Sequence, residues 1–430
     1  MTAKTTKILF QLPVTKKWLE QYALVNYQLG LSYREILYGL KTLFNTKRSI
    51  GWAYNVLHKN SEKAAVINSK EDLSGINISA NDELFNHNKP VLTSVCTHSL
   101  YCPLLQKENY RDAITWAIRL LELVDKGYSP QSVILDGLNS LNAGHKLALE
   151  DVNIIYDTFH IIKDSNDLKR FVNNQLKSSR TNLNTIIDKL DRAKDAEKIK
   201  SLLAQKKVAQ TNYDQALQLH QSIATLCSWL QHDILVVAGS DYATRLELLE
   251  FITEELEKLE PQLAHRIKPV RTTLQNKPER ILGFLKDLEN EFISYADEIN
   301  CDVYWLWELC NAQRYSKDHA KYYQTIAKAR SRFKHHFHEI EQTVVAIMDE
   351  VEKASSVVEN LNGRIRKFLI NHVHVSQELL DLLRFVMNHT EFSRSRCEHR
   401  EGKSPAQVMN DAQHPHWLEL LGYDLFKKAA

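Results

Sequence analysis

The stretch "GINISANDELFNHNKPVLTSVCTHSLYCPLLQ", residues 75–106, decides how this 430-residue chain is read. It is rich in Ile, Val, Thr, Leu and Tyr, with turn signals at Asn86 to Pro90 and near His98. That pattern predicts three consecutive antiparallel strands. Downstream, "YRDAITWAIRLLELVDKG" spaces Ile114, Ala117, Ile118, Leu121 and Val124 as the apolar stripe of a helix that stops at Gly127. A buried strand "QSVILDG", a short helix "SLNAGHKLAL", a strand "NIIYDTFH" and then uninterrupted helix follow. The order is β-β-β-α-β-α-β-α, an α/β core.

Working outward, residues 1–70 read as a helical head with eight more positive than negative charges. A helix opening at Ser32, a turn around Asn45 to Lys47 and another helix from about Ser49 give a helix-turn-helix arrangement. Lys47 and Arg48 stand at the turn, where phosphate contacts usually sit. A generic three-helix unit is the plainer reading of the same pattern. Residues 71–163 are the first part of the core, and 164–350 an all-α block with breaks near Gly239, Pro261 and Pro269. Within that block, residues 181–223 read as an antiparallel helical hairpin, either an assembly arm or a spacer. Residues 351–430 return to amphipathic helices, "SSVVENLNGRIRKFLINH" and "SQELLDLLRFVMNH", and end in a polar, basic tail.

Composition, 43% apolar and 25% charged, is that of a soluble globular protein of two or three domains. No apolar run is long enough to span a bilayer, and "MTAKTTKILFQLPVTKKW" lacks a secretory signal's apolar core and cleavage site, so a cytoplasmic protein without a membrane partner is expected. The six cysteines are scattered without a CxxC pair, which indicates neither a disulfide framework nor a zinc site. A net charge of +2 says nothing by itself about nucleic acid. The basic head says more.

Acids on strands are unexpected, yet Asp82 closes "INISAND" and Asp136 closes "SVILD". With the first strand central and the fourth beside it, these two ends can meet on one edge of the sheet. In "SSVVENLNGRIRKF", Val357, Val358, Leu361, Ile365, Phe368 and Leu369 form one stripe, while Glu359, Asn362, Gly363 and Arg366 share another face. Alone, Glu359 reads as a solvated acid paired with an arginine. On a helix packed against the sheet, it would complete a cluster of three carboxylates. Three converging acids repel unless divalent cations neutralise them, and oxygen-only ligands favour Mg²⁺ or Mn²⁺. Two such ions can activate an attacking oxygen and stabilise the leaving oxygen of a phosphodiester.

The acids of "NDELF" and "LDG", "DTFH" after the next strand, "SSVVENLNGRIRKF" after a long helical block, and the tail "RSRCEHREGKSPAQVM…HPHWLELLGY" together resemble the DDE transposases of bacterial insertion sequences. The resemblance covers nearly the whole chain. It implies an RNase H-like catalytic core interrupted by an α-helical insertion and preceded by a helix-turn-helix that reads the element's terminal inverted repeats. Asp82, Asp136 and Glu359 would be the catalytic and metal-binding triad, holding two Mg²⁺ or Mn²⁺ ions. Asp157 and His160 match an acid-x-x-His pattern of related enzymes, and with Asn362 would support the site. The expected activity is cleavage at the ends of a mobile element and joining of the 3′-hydroxyls to target DNA, by a homodimer or larger homo-oligomer on double-stranded DNA. Two departures stand out: Lys353 where relatives tend to have Arg, and no acid near Thr97 and His98. The alternatives are an inactive or repurposed copy that only binds DNA, and a helical scaffold.

Other features have bland readings beside sharper ones. Trp305 and Trp307 suit core packing, whereas the resemblance suggests stacking on an unpaired base. His335, His336 and His338 lack metal-ligand spacing. Arg364, Arg366 and Lys367, followed by Arg394, Arg396, Arg400 and Lys403, are candidates for gripping phosphates, against a merely solvated basic face.

Overall fold

The computed structural model describes residues 14–136, 139–351, 356–372, 374–395 and 397–425. The chain forms two compact units, one from residues 1–153 with 355–430 and the other from 154–354.

The first unit opens with three helices. Thr15 caps α1 (Lys16–Gln28). At α2 (Tyr33–Phe44) the Ser32 hydroxyl accepts from the Glu35 backbone N–H while the Glu35 carboxylate accepts from the Ser32 N–H, and the helix ends on left-handed Asn45. Ser49 then caps α3 (Ile50–Ser69). Next come β1 (Ile78–Asn86), β2 (Lys89–Cys96) and β3 (Leu104–Lys107), antiparallel in succession. The first hairpin turns at His87, whose φ of 56° is the left-handed conformation a tight turn requires. After α4 (Ala113–Val124), β4 (Ser132–Leu135) lies parallel to β1, and α5 (Asn139–Ala148) leads to β5 (Asn153–Tyr156). The sheet runs β3-β2-β1-β4-β5, a mixed sheet with β1 in the middle.

The buried face of α4 differs from the one expected. Trp116, Ala117, Leu120 and Leu123 are buried, whereas Ile114, Ile118, Leu121 and Val124 are 66%, 50%, 48% and 38% exposed. The helix is apolar on two faces, and α5 decides between them. Gly144 lets the backbones approach so closely that a Cβ there would stand 2.5 Å from the Trp116 Cβ and 2.9 Å from the Ala113 carbonyl oxygen. The buried indole also donates to Glu83 at 2.9 Å, a polar contact that the isoleucine face cannot offer.

The second unit is helical after β5, which the division between the units cuts. Its helices are α6 (Thr158–Asp191), α7 (Ala196–Trp229), α8 (Tyr242–Leu259), α9 (Ala264–Asn276), α10 (Pro278–Ile281), α11 (Gly283–Glu298), α12 (Tyr304–Ala312), α13 (Ala320–Phe333) and α14 (Phe337–Glu350). The strand expected over "NIIYDTFH" stops at Tyr156, because the Asp157 carboxylate accepts from the Phe159 N–H and starts α6 there. The helical block therefore begins before residue 164. Helices α6 and α7 form the hairpin, with Leu183, Ile186 and Ala209 at its core and Tyr213 packed beside them. Near Gly239, fully buried Arg245 donates to the carbonyls of Ile234, Val236, Val237 and Ser240, which fixes an irregular turn.

The chain returns to the first unit as α15 (Ser356–Asn371) and α16 (Gln377–His389), then α17 (Pro405–Asn410) and α18 (Trp417–Leu420). Helix α15 lies on β1 and β2, and α16 on α3 and β3. The head is bound into this unit. Asn68 Nδ2 donates to the Asp381 carbonyl at 3.0 Å, Asn60 Nδ2 to the Tyr423 hydroxyl at 2.9 Å, and Lys17 pairs with Asp424. Among the described residues no helix is long and apolar enough to cross a membrane.

Candidate active site

Residues of β1 alternate between the two faces of the sheet. On one face, Ser79, Asn81 and Glu83 form a buried polar row. Ser79 Oγ and the Tyr128 hydroxyl are 2.6 Å apart, and Glu83 binds both Trp116 Nε1 and Arg111. His145 Nδ1 lies 2.8 Å from the Leu141 carbonyl and so carries the proton, leaving Nε2 to accept from Asn81 Nδ2 at 2.6 Å. Burial pushes the pKa of His145 down to about 4, which keeps it neutral.

The opposite face carries Asp82. It is half-buried and lies within β1, not at its end as expected, because β1 continues to Asn86 with β2 as its partner. What ends beside it is β4. The parallel register pairs Asn81 with Leu135, the last residue of β4, and Asp136 follows Leu135 as Asp82 follows Asn81. Asp136 thus comes directly after the strand that neighbours the one bearing Asp82.

Helix α15 covers that point. Asn362, fully buried, donates from Nδ2 to Asp82 Oδ2 at 2.5 Å, while Asp82 Oδ1 accepts from the Glu83 N–H at 2.7 Å. Thr93, the cross-strand partner of Asp82, donates from Oγ1 to the Asp82 carbonyl at 2.9 Å and lies 3.4 Å from Asn362 Oδ1. Glu359 sits one turn before Asn362, on the same side of the helix. Its carboxylate is paired with Arg366 at 3.2 Å, both side chains partly exposed. Among the described residues, no three His, Cys, Asp or Glu side chains converge closely enough to hold an ion.

The other candidates fall as follows. Buried Asp157 caps α6, and His160 Nε2 is 3.5 Å from its Oδ2, so the two meet each other at the start of the second unit. Lys47 and Arg48 are exposed at the turn before α3, with the Arg48 guanidinium 5.7 Å from the Trp52 ring centroid. Arg364, Lys367 and Arg394 are exposed, and Lys403 is half-buried. Arg400 is engaged by its own unit, donating to the carbonyls of His98 and Thr97 at 2.7 and 2.8 Å. Arg396 and Lys353 lie outside the described residues. In the second unit Trp307 is buried with its ring 5.0 Å from Phe292, while half-buried Trp305 meets Tyr304 and Phe333 edge-on.

Thr93 was missed by sequence reasoning, and only the strand register could have found it. No protein-family model matches the chain, and a search of curated proteins finds no significant match.

Proposed function

We propose that this protein is a DNA transposase of the DDE type, with Asp82, Asp136 and Glu359 as its catalytic acids. The observation that carries the reading is the β1/β4 register, in which Asp136 follows Leu135, the partner of the residue before Asp82, together with a helix whose Asn362 holds Asp82 and whose Glu359 lies one turn away. The sheet order, with β1 antiparallel to β2 and parallel to β4, supports an RNase H-like core. The capped α2 and α3, with exposed Lys47 and Arg48 between them, support a helix-turn-helix for the element's ends.

The donor chemistry is of the kind that takes Mg²⁺ or Mn²⁺: all three groups are carboxylates, each with several lone pairs to offer. Two bound ions would neutralise the acids and supply activation of the attacking oxygen and stabilisation of the leaving one. Asn362 and the Glu83 N–H fix the Asp82 carboxylate, so that it need not reorganise on binding. Glu359 would exchange Arg366 for the metal side of the site, which frees the guanidinium for a phosphate of the DNA strand. Arg364, Lys367 and Arg394 are exposed and Lys403 half-buried, and they would supply further phosphate contacts. Two copies are needed to hold two DNA ends.

The test is cleavage of a duplex carrying the inverted repeats that flank the coding region, in Mg²⁺. Asp82→Asn, Asp136→Asn and Glu359→Gln should each abolish cutting while leaving repeat binding intact. Unchanged cutting in any of them overturns the triad. The Glu359–Arg366 pair favours one second reading, a copy that binds the repeats without cutting them. Salt-sensitive binding with no cleavage by the unaltered protein would select it.

A further inference from the structure

Helix α4 leaves one of its two apolar faces uncovered. Ile114, Ile118 and Leu121, spaced by four and then three residues, form an exposed stripe along that face. Helix α5, which packs on α4 through Gly144, carries exposed Leu147 as well. Large apolar side chains grouped on a surface mark a place where something docks. The charges at the ends of the stripe say what docks. Arg111 stands seven residues before Ile118, and Asp125 seven after it. The Arg111 side chain is half exposed, and its bond to Glu83 engages one guanidinium nitrogen, which leaves further donors. Asp125 is exposed at the C-terminal cap, and among the described residues no cation pairs with it. An acid there faces the negative pole of the helix dipole, so by itself it is unfavourable.

One arrangement covers the stripe and supplies a cation to Asp125 together. When a second α4 lies antiparallel across the first with the two-fold axis at Ile118, that residue meets its own copy and Ile114 meets Leu121. Arg111 of each copy then meets Asp125 of the other, beside the positive pole of the opposing helix. A parallel pair would set Asp125 against Asp125. An unrelated partner would have to reproduce a pattern that α4 already carries on one surface.

We propose that the exposed face of α4 is the docking surface for a second copy of this chain, joined as a two-fold antiparallel helix pair. One helix face is smaller than the area a permanent dimer buries, so the copies exchange between monomer and dimer in the micromolar range. Trp116 of α4 bonds Glu83 on one face of the sheet, whereas Asp82 and α15 are on the other, so the pairing does not cover the Asp82 face of either copy. It needs no cutting activity and stands apart from the nuclease reading.

The full-length protein, without DNA, is followed by sedimentation velocity over a dilution series. A monomer–dimer equilibrium is expected, and Ile118→Glu should weaken it about tenfold or more while leaving the thermal melt of the dilute protein unchanged. Asp125→Lys should also weaken it by setting like charges together, although a cation suits the end of the isolated helix. Mild oxidation tests the geometry. Ile118→Cys should give a disulfide-linked dimer, Ile114→Cys alone should not, and Ile114→Cys mixed with Leu121→Cys should, each beyond what the unaltered chain forms through its own thiols. A chain that stays monomeric at every soluble concentration, whether or not another protein binds the face, overturns the proposal. So does a dimer unaffected by Ile118→Glu, the absence of a link through Ile118→Cys, or a link through Ile114→Cys alone that is equally strong.

Discussion

At the scale of single residues, the contact between Asn362 and Asp82 organises the candidate site. Replacing Asn362 by Ala removes one buried donor from the carboxylate, and should cost roughly 1–3 kcal/mol in urea unfolding. Asn362→Asp should be worse at pH 8 than at pH 5, because two carboxylates at that distance repel unless one is protonated. Gly363 behaves oppositely. A Cβ there meets nothing within 4 Å, so Gly363→Ala should raise stability by about 0.5–1 kcal/mol through helix propensity alone, read as a higher melting temperature. His145 sets a pH dependence of known sign. Its folded pKa of about 4 lies below the ordinary value of 6.5, so the unfolded chain binds the extra proton. Stability is full above pH 6.5 and falls between there and pH 4, by about 1.4 kcal/mol per unit at most. Denaturant midpoints at pH 7, 5.5 and 4.5 should follow that slope, and a slope of the opposite sign would refute the neutral buried imidazole. Asp82 could be singled out in sequence because aspartate is out of place on a strand. The roles of Thr93 and Asn362 were not, since they depend on register and on how a helix docks.

At the scale of elements, capping chemistry was the most readable signal. Ser32 and Ser49 start the helices they were expected to start, because a hydroxyl that satisfies an orphan N–H acts locally. Helix α4 shows the limit of periodicity. Both of its faces are apolar, and the choice between them is made by Gly144 on a neighbouring helix, which no window over α4 can register. Two substitutions separate the faces: Ile118→Glu should be nearly neutral, while Leu120→Ala should cost about 2–5 kcal/mol in chemical denaturation. The reverse order would restore the face that periodicity suggested. The end of β5 was missed for a related reason. An aspartate that follows an apolar run can extend a strand or cap a helix, and only the Phe159 N–H it meets tells which.

At the scale of the whole molecule, the helical head and strands β1 to β4 belong to one unit that the chain leaves and re-enters. The mixed α/β order was visible in the sequence because each element carries its own pattern. The attachment of the head to α16 and the C-terminal segment was not, since Asn60 to Tyr423 and Asn68 to Asp381 are contacts between distant parts of the chain. A fragment of residues 154–354 should therefore fold cooperatively by circular dichroism, whereas residues 1–153 alone should stay open to limited proteolysis, with β1, β2 and α3 lacking their covers. A protease-resistant 1–153 fragment would contradict this account.

The re-entry also sets a clock on protein synthesis. The two aspartates leave the ribosome early, but the helix that bears Glu359 emerges only after the whole second unit has been made, and domains fold as they emerge. A nascent chain, or one ended by a premature stop before α15, holds the two aspartates without Glu359. Under the nuclease proposal, cutting is therefore withheld until the second unit and α15 have been translated.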